Sequence, residues 1–115
     1  MLLPNTHLAI VESEKILDYL LNSEHPIGKS KARFFESAGF TRADWPDLAH
    51  ALKLLAQTNE IASMVESPYG VKYIVDGELT CPDGRQPMVR TVWILDRLTT
   101  GELTEAPRLV TAHPL

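Results

Sequence analysis

The stretch Met88-Val89-Arg90-Thr91-Val92-Trp93-Ile94-Leu95 is the most β-prone in the chain, and its reading decides the fold. In an extended strand Val89, Thr91, Trp93 and Leu95 share one side, and Met88, Arg90, Val92 and Ile94 share the other. Upstream, Val71, Tyr73 and Val75 alternate with Lys72, Ile74 and Asp76 in the same two-residue period. Ser67-Pro68-Tyr69-Gly70 and Pro82-Asp83-Gly84 carry turn chemistry at its two ends. Ile61 to Glu66 reads as a short strand before them. Leu109 to Ala112 reads as a last one, after the loop Thr99-Thr100-Gly101-Glu102. Short connections favour antiparallel neighbours.

Before Glu60 the period is helical. Ile10, Ile16, Leu17, Leu20 and Leu21 recur on one face and predict a first helix from about Ala9 to Leu21. Pro26 disfavours helix at His25 and ends it. A second helix is expected from Gly28 to Glu36, closing at Ala38-Gly39, where Gly39 suits a C-terminal cap. Thr41 is the expected N-cap of a third helix, with Pro46 in its first turn and Leu48, Ala51, Leu52 and Leu55 on its buried stripe. The fold class is therefore α+β: about three N-terminal helices, then a four-stranded antiparallel sheet with the helices on one face. Residues 1–115 form one domain, helical to about residue 58 and sheet from about residue 60.

A chain of 115 residues, 44% hydrophobic and 23% charged, has globular composition and enough length to bury a core without staples. The single cysteine, Cys81, cannot form an internal bridge, which fits a reducing compartment. No apolar run is long enough for a membrane span, and Met1 to Ile10 lacks the features of a signal peptide. A cytoplasmic protein with no membrane partner is expected. The net charge of −4 restricts any nucleic-acid contact to a local patch.

That patch is His25-Pro26-Ile27-Gly28-Lys29-Ser30-Lys31-Ala32-Arg33, which combines an imidazole, a helix start and three cations suited to phosphate. Lys29 and Arg33 share a side opposite Phe34, Phe35 and Ala38; a solvated helix face is their plainer role. Lys31 falls within the inward Phe35/Ala38 face and must snorkel, pair or line a pocket. His25 offers an imidazole, the side chain type suited to proton transfer near neutrality, although a loop histidine before proline is more often a turn residue. Arg90 either lines the open sheet face or pairs across strands with Glu78 or Asp76. Thr111 and His113 share one face of the last strand and Val110 and Ala112 the other; His113 reads as exposed. Tyr69 and Tyr73 are candidates for stacking on a base, or half-buried strand residues. The histidines and single cysteine show no zinc spacing, and neither a Gly-rich nucleotide loop nor a nucleophile elbow is present. No helix shows the basic face of a DNA-recognition helix. Metal-free phosphate chemistry is the remaining enzymatic option, with no cofactor.

Leu3-Pro4-Asn5, His25-Pro26-x-Gly28-Lys29-x-Lys31-Ala32-Arg33-Phe34-Phe35, Arg90-x-x-Trp93-Ile94 and Pro107-Arg108-Leu109-Val110-Thr111-Ala112-His113-Pro114 resemble an uncharacterised bacterial domain family. That family occurs as small stand-alone proteins and as C-terminal domains of larger toxin-like polypeptides. The element order also resembles the barnase-, EndoU-, colicin- and RelE-like ribonucleases, whose contact-dependent toxin members often end in a strand like Val110-Thr111-Ala112-x-Pro114. His113 stands where those toxins often carry an aromatic residue. The resemblance implies a metal-independent endoribonuclease, the toxin of a toxin–antitoxin or toxin–immunity pair, with RNA as substrate and a small cognate antitoxin or immunity protein as partner. It implies His25 as general base or acid, Lys31 stabilising phosphate charge, Arg90 clamping its oxygens and Thr111 orienting it. Lys29, Arg33 and Tyr73 would bind substrate. The alternative is a non-catalytic partner-binding module, such as an immunity protein, for which an acidic surface suits a basic partner.

Overall fold

A computed structural model describes residues 1–115. Three helical segments precede a four-stranded antiparallel sheet in the order β1-β2-β3-β4. The strands are β1 (Ile61–Ser67), β2 (Gly70–Glu78), β3 (Met88–Asp96) and β4 (Arg108–Pro114). The α+β expectation and the meander of consecutive neighbours both hold. No helix is long and apolar enough to cross a membrane.

Alternation places the core where β3 predicts it. Val89, Thr91, Trp93 and Leu95 are buried, and they meet Val71, Tyr73 and Val75 of β2 and Leu109 and Ala112 of β4. Across the β2–β3 ladder Tyr73 stands opposite Trp93 and Val75 opposite Thr91. Thr91, the buried polar residue of this layer, is satisfied within it. Its hydroxyl donates to the Val75 carbonyl at 2.7 Å and accepts from the Trp93 indole N–H at 2.9 Å. The helices supply the facing layer through Ile16, Leu20, Phe35, Leu48, Leu52 and Leu55, each at most 1% exposed.

The first helix is shorter than its periodicity predicts. Ile10 is exposed and extended; its N–H donates to the Pro107 carbonyl at 2.8 Å, and its carbonyl accepts from the Leu109 N–H at 2.9 Å. This parallel bridge to the edge of β4 satisfies backbone groups that a helix would otherwise have used. After a 3-10 turn at Thr6–Leu8, the α-helix α1 (Ser13–Lys15) passes directly into a π-helical turn, Ile16–Leu20. There the Leu21 N–H reaches back to the Ile16 carbonyl at 2.7 Å. Arg42 covers the exposed end of this segment, donating to the carbonyls of Leu17 and Leu21.

Helix α2 (Lys29–Ser37) follows Gly28 and stops before Gly39, whose φ of 102° is left-handed. Helix α3 (Trp45–Thr58) starts later than expected: Asp44 is its N-cap, while Thr41 holds the preceding turn by accepting the Asp44 N–H at 3.1 Å. Pro46 does sit in the first turn. The last strand is longer than predicted and carries a bulge. Thr111 pairs with Val92 and Leu109 with Trp93, so Val110 is the additional residue. The bulge breaks the expected alternation: Ala112 is fully buried in the core, while Val110 lines a hollow beside Ile94 on the other side.

Candidate functional site

His25-Pro26-Ile27-Gly28 forms a tight connection because the histidine closes it. Pro26 has no N–H to offer, and the next two amides, of Ile27 and Gly28, both donate to His25 Nδ1, at 3.0 and 2.9 Å. The Lys29 N–H donates to the His25 carbonyl at 3.0 Å. Two donors on Nδ1 make it the acceptor nitrogen and leave the ring proton on Nε2. The amides that the sequence offers to an anion at the start of α2 are thus partly taken by His25 itself. Gly28 is buried against Tyr19, bringing this connection close to the π-helical turn.

Tyr19 is where the distant parts of the chain meet. Its hydroxyl lies 3.1 Å from Thr111 Oγ1 on β4. Its ring meets the His25 imidazole in a T-shaped contact, with centroids 5.1 Å apart. The Lys31 ammonium of α2 is 5.2 Å from the ring centroid, and that of Lys15 is 5.4 Å from it. Burial alone would push the Tyr19 phenol up. The nearby Lys31 ammonium, the Thr111 hydroxyl and the charge of Lys15 outweigh burial, and the group lies below its ordinary value of 10.0.

The local field is positive. Lys15, Lys29, Lys31 and Arg33 stand outside every ion pair of the molecule, whereas Arg85, Arg90, Arg97 and Arg108 of the sheet half are each paired with a carboxylate. Lys31 is half-buried, as its place on an inward face requires; Lys29 and Arg33 are exposed on α2. Two hollows flank Tyr19 and Lys31. One, of about 350 Å³, is lined by Ser30, Lys31, His113 and Pro114. The other, of about 260 Å³, is lined by Lys15 and Tyr19 together with Arg108, Glu12 and Glu14. Free cations beside a hydroxyl pair can bind an anion and move a proton near it.

Among the sequence candidates, His25, Lys31 and Thr111 come together. Arg90 stands across from His113 of β4, but its guanidinium is committed to β2: Nε and Nη2 both donate to Asp76, each at 2.9 Å, in the cross-strand pair that its register allows. Tyr73 cannot stack on a base, because it is 6% exposed and its ring is spent on the core between sheet and helices. Tyr69, by contrast, projects freely from the β1–β2 turn. Tyr19 and Lys15 were not singled out by the sequence, and His113, expected to be exposed, is half-buried. The Lys15/Tyr19 spacing is the signal that bore on the first two; for His113, half-buried beside Lys31, it was the shared strand face with Thr111.

Among solved structures, a chain of a contact-dependent growth inhibition toxin–immunity protein complex from Klebsiella pneumoniae 342 shares the fold. It has a TM-score of 0.67 and 18% identity, over 95% of this chain and 95% of that one. No curated protein matches the sequence. Residues 2–115 match a family described as a domain of unknown function, DUF6883, and the chain belongs to that family.

Proposed function

We propose that this domain is a metal-independent endoribonuclease, the toxin of a toxin–antitoxin or toxin–immunity pair, which cleaves RNA by attack of a 2′-hydroxyl on the adjacent phosphate. The observation that carries this reading is the meeting of Lys31 and Thr111 at Tyr19, against whose ring the His25 connection packs, beside lysines that have no carboxylate partners. RNA brings its own nucleophile, so the protein needs only to hold the phosphate, stabilise its developing charge and move protons. Lys31, aided by Lys15, supplies the charge. Thr111 orients a phosphate oxygen. Lys29 and Arg33, exposed on the same helix, contact the flanking backbone. The fold shared with a chain of a toxin–immunity complex supports a place in such a pair.

The net charge of −4 favours a second reading, a partner-binding protein on the immunity side. Incubating a varied RNA pool with the wild type and Lys31→Met in EDTA, with end-group analysis, separates the two. The nuclease reading expects cyclic phosphate and 5′-hydroxyl ends from the wild type and little from the variant. Absence of cleavage by folded wild type, with tight binding to a basic protein partner, establishes the second reading instead.

A further inference from the structure

The proton economy of the site is set by a lone pair that is not free. A neutral imidazole has one acceptor nitrogen. In His25 that nitrogen, Nδ1, already accepts from Ile27 and Gly28, at 3.0 and 2.9 Å. Taking a proton there would set an N–H against two other N–H groups. The Nε2 side carries hydrogen and has no lone pair to offer. His25 as placed is therefore poorly suited to act as a base at either nitrogen, and the imidazolium needed for acid catalysis would break its own loop.

Resting on the ribonuclease reading, we infer that Tyr19 takes the proton from the attacking 2′-hydroxyl, and that His25 is a positioning residue holding the Gly28 turn against the tyrosine ring. The phenol oxygen lies 3.1 Å from the Thr111 hydroxyl, and the Lys31 ammonium stands 5.2 Å from the centroid of the same ring. The groups around it are Lys15 from α1, Lys31 from α2 and the His25 ring from the connection, with Arg108, Glu12 and Glu14 lining the adjoining hollow. Arg108 is tied up by Asp96, donating at 2.8 and 3.1 Å, so the lysines dominate close to the oxygen. They favour its anionic form, in agreement with the lowered position of the phenol.

The step balances without a co-reactant. The 2′-oxygen gives its proton to the Tyr19 phenolate and forms a bond to phosphorus. The bond from phosphorus to the 5′-oxygen breaks, and that oxygen takes a proton from the Lys31 ammonium. The phenol then returns its proton to the Lys31 amine, restoring phenolate and ammonium. The substrate's 2′-proton has in effect moved to the 5′-hydroxyl, and the other product carries a cyclic phosphate.

Two measurements on the whole protein test this. In ultraviolet titration of tyrosinate, one tyrosine of the wild type should ionise below the others, vanish in Tyr19→Phe and move upward in Lys31→Met. In RNA cleavage, Tyr19→Phe should lose about 10²–10⁴-fold in rate, the range of a positioned proton acceptor. His25→Asn, whose amide oxygen can accept the same two backbone amides, should stay within about tenfold and keep the wild-type pH profile. If wild type cleaves but no tyrosine titrates low, or Tyr19→Phe cleaves like wild type, the inference is overturned while the ribonuclease reading stands. Loss of cleavage in folded His25→Asn returns the proton transfer to histidine and also overturns it. Should the wild type cleave no RNA, the ribonuclease reading fails, and the assigned proton transfer fails with it, whatever the titration shows.

Discussion

Gly28 and Tyr19 are packed so closely that no side chain fits between them. A β-carbon at Gly28 would lie 2.7 Å from the Tyr19 carbonyl oxygen and 2.8 Å from its ring Cδ1. The backbone of Gly28, at φ −88° and ψ −7°, suits any residue, so the glycine is required by space and not by conformation. Gly28→Ala should therefore destabilise the domain by about 1–3 kcal/mol, the usual cost of overpacking. Urea denaturation measures this; a midpoint at or above that of wild type would show that the turn can move away from the ring.

The contact between Tyr19 and Thr111 joins the first helical segment to the last strand. Thr111→Val removes it at a cost of about 0.5–1.5 kcal/mol. The same variant should change the pH dependence of stability. The folded phenol lies below its unfolded value, so the unfolded state holds the extra proton between the two. This group's stabilising contribution is complete above about pH 10, the unfolded value, and is lost as pH falls through the folded one. Removing the Thr111 hydroxyl raises the folded value and narrows that window. Urea midpoints of both proteins across neutral to alkaline pH would show it, and parallel curves would count against the coupling.

Thr91 is the hinge of the buried polar pair under the sheet. Thr91→Val has the right shape but leaves the Trp93 indole N–H without an acceptor in a fully buried place. An unsatisfied buried donor costs about 1–3 kcal/mol. Thr91→Ser keeps the hydroxyl and should recover most of the hydrogen-bonding part. Thermal unfolding of the two variants, followed by circular dichroism, distinguishes a hydrogen-bond effect from a packing effect.

Arg90 and Asp76 form a two-pronged pair on the open face of the sheet. Its expected role is structural. Arg90→Ala and Asp76→Ala should lower the urea midpoint by similar amounts, and the double variant should be little worse than either, because each single change removes the same interaction. RNA cleavage should stay near wild type in all three. A selective collapse of cleavage in Arg90→Ala, with unchanged stability, would place Arg90 in the chemistry after all.

Much of this was legible in local pattern. The two-residue alternation from Met88 to Leu95 predicts which side chains enter the core, because strand geometry leaves a buried face little choice. Gly39 and Pro46 mark helix boundaries for equally local reasons. Pattern misled at Ile10, which fits the helical spacing of Ile16 to Leu21 but bridges to Arg108 of β4, and at Tyr73, whose alternation shows a strand but not which face lies under helices. His25, Lys31 and Thr111 stood out by type. Tyr19 did not, since one tyrosine on an amphipathic helix looks like any other.

Sequence alone determined the kinds and order of the elements, because helix and strand periods are properties of neighbouring residues. Only tertiary structure decided which side chains share a site. Tyr19 and Thr111 are 92 residues apart. Their meeting depends on a π-helical turn that re-aims one, a bulge of one residue in β4 that alters the register of the other, and a glycine that lets the α2 connection close over the ring. Each is a small local departure from regular geometry, stabilised by packing against parts of the chain far away in sequence.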